Sequence, residues 1–246
     1  MNALVALTER SLIAAARDGG MIFEILSPAA YLALFTVALH GLVDTGRMSY
    51  AQYLVPVVVI QSVIFVALLT GGRAAYDHLL GLTQRLATLP IAMAVPLGAR
   101  MLATLIRAAF ALSATLVAGY AFGFRMTGGP GYALAFVLVT LFLCLAVALG
   151  ADALGSGTKS VEGTGQLVRA PQLLLLLLST GIAPEKTFPD WLRPYVRNQP
   201  VSQLAETLRG LATGTVAVPN LAASLAWCLG MVLVFGAITL RLQRRG

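Results

Sequence analysis

The chain of 246 residues is 58% hydrophobic and only 11% charged, with a mean hydropathy of +0.84 and a formal net charge of +7. Soluble domains carry about 25% charged residues, so this apolar excess cannot be buried in one aqueous core, and a bilayer is its natural solvent. The positive balance then reads as membrane topology rather than nucleic-acid binding. Cys144 and Cys228 lie inside apolar runs and read as small core residues, not as a disulfide framework, and they identify no redox compartment.

The N-terminal stretch MNALVALTERSLIAAARDGG does not read as a signal peptide. It lacks a basic start, and Glu9, Arg10 and Arg17 interrupt its apolar residues. Arg10 and Arg17 are seven apart and share a helical face, which predicts an amphipathic helix over 1–20 lying on the membrane surface.

Spans of roughly 20 apolar residues cross a hydrocarbon core. They are predicted at about 22–42, 52–72, 92–122, 131–154, 164–182 and 219–240, with the breakers DTGRMSY, RMTGGPG and GSGTKSVEGTG between several of them. With both ends cytoplasmic, the inside carries Arg10, Arg17, Arg73, Arg85, Arg100, Lys159, Arg169, Arg241, Arg244 and Arg245. The outside carries the smaller set Arg47, Arg125, Lys186, Arg193, Arg197 and Arg209, as the positive-inside rule requires.

The loop after the second span reads as a two-faced helix. Arg73, Asp77, Gln84, Arg85 and Thr88 form a polar stripe, Leu79, Leu82, Leu86 and Leu89 an apolar one, and Pro90 ends it. Such a helix can insert into a partner's groove or rest on lipid headgroups, and periodicity does not choose. GSGTKS at 155–160 looks like a phosphate loop, but Thr158 stands where the motif needs glycine before its lysine, so it reads as a turn.

Glu24, His40, Arg107 and Asp152 are the ionisable residues within or near spans. A charge in lipid costs at least ~2.5 kcal/mol, so Arg107 and Asp152 are expected to face the protein interior, paired or in one polar network. His40 and the other histidine, His78, fall on opposite predicted sides, which argues against a shared metal. No nucleophile–base set, paired carboxylates or metal cluster converges, so no catalytic residue, metal or cofactor is assigned to the chain.

TFPDWLRPYVRNQP at 187–200 interrupts the apolar pattern. Phe188, Trp191, Leu192, Tyr195 and Val196 have helical spacing, and Thr187 with Asp190 forms a capping pattern. Asn198, Gln199 and Pro200 break that helix. Val201, Leu204, Ala205, Leu208 and Leu211 restart the spacing, with Glu206 and Arg209 on other faces. Two helices too short to span fit a re-entrant or interfacial hairpin, over 183–212, on the external side.

RLATLPIAMAVPLGARMLATLIRA (85–108), GFRMTGG (123–129) and STGIAPEKTFPDWLRPYVRNQPVSQLAETLRGL (179–211) carry a resemblance that extends over nearly the whole chain. The sequence resembles the ABC-2-type exporter permeases, in particular the daunorubicin-resistance type of actinobacterial drug and lipid exporters. That resemblance implies a single transmembrane domain over 1–246: an all-α integral membrane protein with six transmembrane helices, cytoplasmic ends, an amphipathic N-terminal helix, a cytoplasmic coupling helix and an external re-entrant hairpin. It implies that the loop at 73–90 docks on a separate ATPase subunit, which holds ATP and Mg, with Arg10, Arg73, Asp77, His78, Gln84 and Arg85 near that contact. It also implies a second permease copy or sibling permease, and a hydrophobic drug or lipid moved outward across the plasma membrane. The hairpin residues Phe188, Trp191, Tyr195, Asn198, Gln199, Pro200, Glu206 and Arg209 would then gate the outer end. A polysaccharide or glycolipid exporter is the alternative, disfavoured by an aromatic content of 8%; a non-transporting membrane-assembly scaffold is another, and a membrane-embedded enzyme fits least.

Overall fold

The computed structural model describes residues 3–39, 49–82, 92, 94–158, 172, 174–175, 178–181 and 188–245. Among them the regular elements are all helical: α1 (Ala3–Arg17), α2 (Gly20–Leu39), α3 (Tyr50–Leu79), α4 (Ala94–Ala121), α5 (Pro130–Ser156), α6 (Arg193–Asn198), α7 (Pro200–Thr213) and α8 (Val218–Arg245). The described residues include five helices, α2, α3, α4, α5 and α8, long and apolar enough to cross a membrane. The chain is therefore a multi-pass membrane protein. Most of the span predicted at 164–182 lies outside the described residues.

Local signals set the helix ends. The Ser49 hydroxyl accepts the Gln52 amide at 3.2 Å and caps α3. Pro130 and Pro200 start α5 and α7, where no donor is needed. Gly214, with φ of 78°, ends α7 in the left-handed conformation that glycine adopts without strain.

Helix α3 is the centre of the bundle. In its most apolar window 72% of residues are buried, against 17% for α2 and 11% for α8, which therefore lie at the periphery. Its valines and Ile60 pack with Leu112 of α4, Phe136 and Leu143 of α5, and Leu204 and Leu208 of α7 in one core. The helix is thirty residues long, so it spans about 45 Å and outreaches a hydrocarbon core of about 30 Å. The second span accordingly does not stop at residue 72: Arg73, Asp77 and His78 continue α3 instead of opening a separate loop helix. Gln84, Arg85, Thr88 and Pro90 lie outside the described residues, as does His40.

The bundle has two distinct ends. At one, α1 docks on the start of α4: the Thr8 hydroxyl contacts the Ala99 carbonyl at 3.5 Å, Ala15 is fully buried, and Leu4, Val5 and Ile13 face outward. At the other, the hairpin α6–α7 closes over the start of α3 and the turn at 178–181. Tyr53 and Gly71 on α3 mark the two ends, about 27 Å apart for a helix of that length.

At the α1 end, α3 and α5 meet backbone to backbone. A Cβ at Gly155 would lie 2.1 Å from the Gly71 carbonyl oxygen, and one at Gly71 would lie 2.7 Å from that of Ala151. Replacing Gly155 with alanine must push the helices apart, and overpacking of this kind costs about 1–3 kcal/mol or more. The expected result is a lower melting temperature for Gly155→Ala in detergent solution; an unchanged one would mean that the helices separate without cost.

Candidate functional site

Near the α1 end, each of the helices α2, α3, α4 and α5 contributes to a buried polar layer. Arg107 of α4 binds Glu24 of α2, with Nη2 2.8 Å from Oε1 and Nε donating to Oε2 at 3.1 Å, and both side chains are almost completely buried. Its Nη2 also donates to the Val66 carbonyl of α3 at 3.1 Å. About two helical turns away, Arg100 binds Asp152 of α5 in bidentate fashion, at 2.7 and 3.2 Å, with Asp152 fully buried. The fork of a guanidinium matches a carboxylate, which orients both partners.

Two threonines join the pairs. Thr70 Oγ1 lies 3.3 Å from the Val66 carbonyl and 2.7 Å from Thr104 Oγ1, and Thr104 Oγ1 lies 2.8 Å from the Arg100 carbonyl. The hydroxyls have two protons between them for these contacts, so the chain can be polarised in either direction. A shift of α4 relative to α3 must break this chain or carry it along. A cavity of about 730 Å³ opens beside the layer, between α1, α3 and α4, with Arg10, Arg73, Asp77, Arg100 and Arg107 in its wall. Arg10 of α1 lies 4.0 Å from Asp77 of α3 across it.

Of the two alternatives expected for Arg107 and Asp152, direct pairing or one polar network, the structure has the second. Both face the interior and share one network, but they are not partners: Glu24 takes Arg107 and Arg100 takes Asp152. The physical reason is register. Arg100 and Arg107 are seven apart on one face of α4, and Asp152, near the end of α5 that packs against Gly71, lies at the level of Arg100 and meets that arginine. Arg100, Thr70 and Thr104 were not singled out from the sequence. The signal was the pairing of two arginines on one face with two intramembrane acids elsewhere.

At the opposite end, Arg209 anchors the hairpin. It is 5% exposed, and it donates from Nε to the Tyr53 carbonyl at 3.1 Å and from Nη2 to the Thr180 and Gly181 carbonyls at 3.2 and 3.1 Å. Its guanidinium carbon lies 3.6 Å from the centre of the Tyr53 ring, a cation–π contact, and Nη1 binds Glu206 at 2.7 Å. The Tyr53 hydroxyl donates to the Thr180 carbonyl, and the Thr180 amide donates to Ser202 at 3.0 Å. Gln199, also buried, donates to the Leu175 and Leu178 carbonyls at 3.1 and 2.6 Å. Its amide thus satisfies backbone that has left regular helix, where no water is at hand.

The remaining hairpin residues fall out differently. Pro200 starts α7, and Val201, Leu204, Ala205, Leu208 and Leu211 are buried. The aromatic helix expected from Phe188 onward does not form, because α6 begins only at Arg193 and has no side-chain cap. Asp190 pairs with Arg193, whose Nε donates to the Phe188 carbonyl at 3.0 Å, so these residues hold a turn instead. Pro194 at the first turn of α6 supplies the start that a capping box would have supplied. Trp191 and Tyr195 point outward, at 79% and 51% exposure, and Asn198 donates to the Pro194 carbonyl at 2.8 Å. Thr187 lies outside the described residues. Cys144 and Cys228 are buried and unbonded to each other.

Comparison with known proteins places this architecture. The family model for the ABC-2 type transporter matches residues 2–213. The chain is 37% identical over 201 residues to the doxorubicin resistance ABC transporter permease protein DrrB of Mycobacterium tuberculosis, covering 79% of this chain and 70% of that one. It is 30% identical over 227 residues to the daunorubicin resistance ABC transporter permease protein DrrB1 of Streptomyces coeruleorubidus, covering 91% and 79%. It is 28% identical over 236 residues to the probable doxorubicin resistance ABC transporter permease protein DrrC of Mycobacterium tuberculosis, covering 92% and 83%. A bundle of apolar helices with its charges paired inside, matched over most of its length by such proteins, belongs to the ABC-2 type transporter family, as a membrane permease.

Proposed function

We propose that the chain is one membrane half of an ATP-driven exporter that moves a hydrophobic drug or lipid outward across the plasma membrane. A separate ATPase subunit binds ATP and Mg and supplies the energy. The observation that carries this reading is the polar layer that ties α2, α3, α4 and α5 together beside the docked helix α1. Groups so costly to bury are kept where helices must move as a unit. Movement imposed on α1 and the protruding end of α3 by an ATPase then reaches the spans through that layer.

The α1 end is assigned to the cytoplasm, because Arg10, Arg17, Arg73, Arg100 and Arg241 gather there. A sixth crossing between α5 and the hairpin is part of this proposal, supported by Gly155 sitting against Gly71 at one end of the bundle and Thr180 meeting Tyr53 at the other. The exterior hairpin α6–α7, held by Arg209 and Gln199, serves as the outer gate, with Phe188, Trp191 and Tyr195 at headgroup level. The end of α3, with His78, together with the residues after it up to 90, Gln84 and Arg85 among them, is the ATPase contact, supported by Arg10 and Asp77. The apolar outer faces of α2 and α8 meet lipid and a second permease. The relatives are named for resistance to doxorubicin and daunorubicin, which supports an aromatic hydrophobic cargo here.

Inverted membrane vesicles containing the chain and its ATPase test this. ATP-dependent uptake of doxorubicin is expected, and neither subunit alone should support it. An ATPase that binds the chain and hydrolyses ATP while neither drug nor lipid moves would contradict the reading.

A further inference from the structure

The cavity between α1, α3 and α4 contains a group that neither ion pair uses. Arg73, in the last turns of α3, has a buried Nη1 with no hydrogen-bond partner among the described residues. The other arginines in the cavity wall are engaged, Arg10 with Asp77, Arg100 with Asp152 and Arg107 with Glu24. A buried guanidinium donor without a partner is costly, and in native proteins such groups are almost always satisfied.

The surroundings indicate by what. Nη2 of Arg73 lies beside the start of α2, where a Cβ at Gly20 would be 3.5 Å away. The first amides of a helix have no partners within it and carry its positive pole, so they add to the attraction for an anion. The same cavity has apolar walls, among them Leu7, Leu69 and Leu80. With the α1 end on the cytoplasmic side, as proposed above, it also opens beside the last turns of α3, which outreach a hydrocarbon core and so meet lipid headgroups.

We propose that this cavity binds an anionic phospholipid, with its phosphate on Arg73 and the start of α2 and the first carbons of its chains against the leucines. A guanidinium fork suits two phosphate oxygens. A free phosphate ion offers the same oxygens but nothing for the apolar wall, so the lipid is the better occupant. Four arginines line this cavity against two carboxylates, Asp18 and Asp77, so its wall favours an anion over a cationic drug. The site does not rest on which cargo the protein exports.

The test uses the chain with its ATPase in phosphatidylcholine nanodiscs, and reads the association of spin-labelled phosphatidylglycerol against spin-labelled phosphatidylcholine. Wild type is expected to prefer phosphatidylglycerol, and Arg73→Gln to lower that preference about fivefold, the share one basic residue contributes at an anionic surface. Arg73→Lys should keep most of it. A phosphatidylglycerol with a photoreactive headgroup, applied to wild type, should label α1, α3 and the start of α2, a result that needs no variant to fold. Equal preference in wild type and Arg73→Gln, or labelling confined to other helices, would overturn the proposal. So would full displacement of the lipid by inorganic phosphate, which would make this a free-ion site. Unchanged lipid preference with weakened ATPase capture would make Arg73 a docking residue instead. These readouts follow lipid, not transport, so their failure leaves the exporter reading standing.

Discussion

Glu24→Ala is expected to destabilise the folded protein by about 3–5 kcal/mol, because it strands the Arg107 guanidinium in a buried layer. The Arg107–Glu24 pair is almost completely removed from solvent, and Nη2 has only the Val66 carbonyl left once the carboxylate is gone. The cost comes from the uncompensated charge rather than from the lost attraction. The paired replacement Glu24→Leu with Arg107→Met should therefore be far milder than either single change, within about 1–2 kcal/mol of wild type. Thermal unfolding in detergent, monitored by size-exclusion chromatography, reads this difference. Equal losses in the single and paired variants would show that the pair itself, not an orphaned charge, sets the stability.

The second large effect is expected at Arg209. Leucine there removes donors to the Tyr53, Thr180 and Gly181 carbonyls and the stacking on Tyr53. Bonds to a charged donor are worth about 1.5–3 kcal/mol each, but the hairpin remains tethered by Gln199 and Ser202. The expected result is thus a loosened hairpin in a folded bundle. Buried Ala205, replaced by cysteine in that background, should become reactive to a maleimide that does not reach it when Arg209 is intact. Arg209→Lys should not restore protection, because an ammonium cannot reach the separate carbonyls with a planar fork. Unchanged protection in Arg209→Leu would remove the anchor from the account.

Much of this was legible in the sequence, and what was missed has identifiable causes. The five spans among the described residues were legible because bilayer thickness fixes the length of an apolar run. Proline marked the hairpin break: α6 ends at Asn198 and α7 starts at Pro200. The apolar face of α7 followed from spacing, since one side of an amphipathic helix must be buried. Partner choice among charges was not legible. Arg107, Arg100, Glu24 and Asp152 sit on different helices, and which carboxylate meets which guanidinium depends on helix register, which sequence spacing within one helix does not contain. The Phe188–Trp191 segment has helical spacing, but Trp191 stays exposed and a turn held by Asp190 and Arg193 prevails. The end of the second span was misplaced because Gly71, Gly72 and Arg73 look like a loop, whereas Gly71 serves the contact of α3 with α5.

The polar layer is the proposed link between an ATPase and the spans. Thr70→Val with Thr104→Val leaves both ion pairs intact and cuts only the hydroxyl bridge between them. Drug transported per ATP hydrolysed, measured in inverted vesicles containing this variant and the ATPase, tests the link directly. The account expects hydrolysis to continue while that ratio falls about fivefold, the equivalent of the ~1 kcal/mol of one hydrogen bond. A variant that folds, hydrolyses ATP and exports with the wild-type ratio would contradict it.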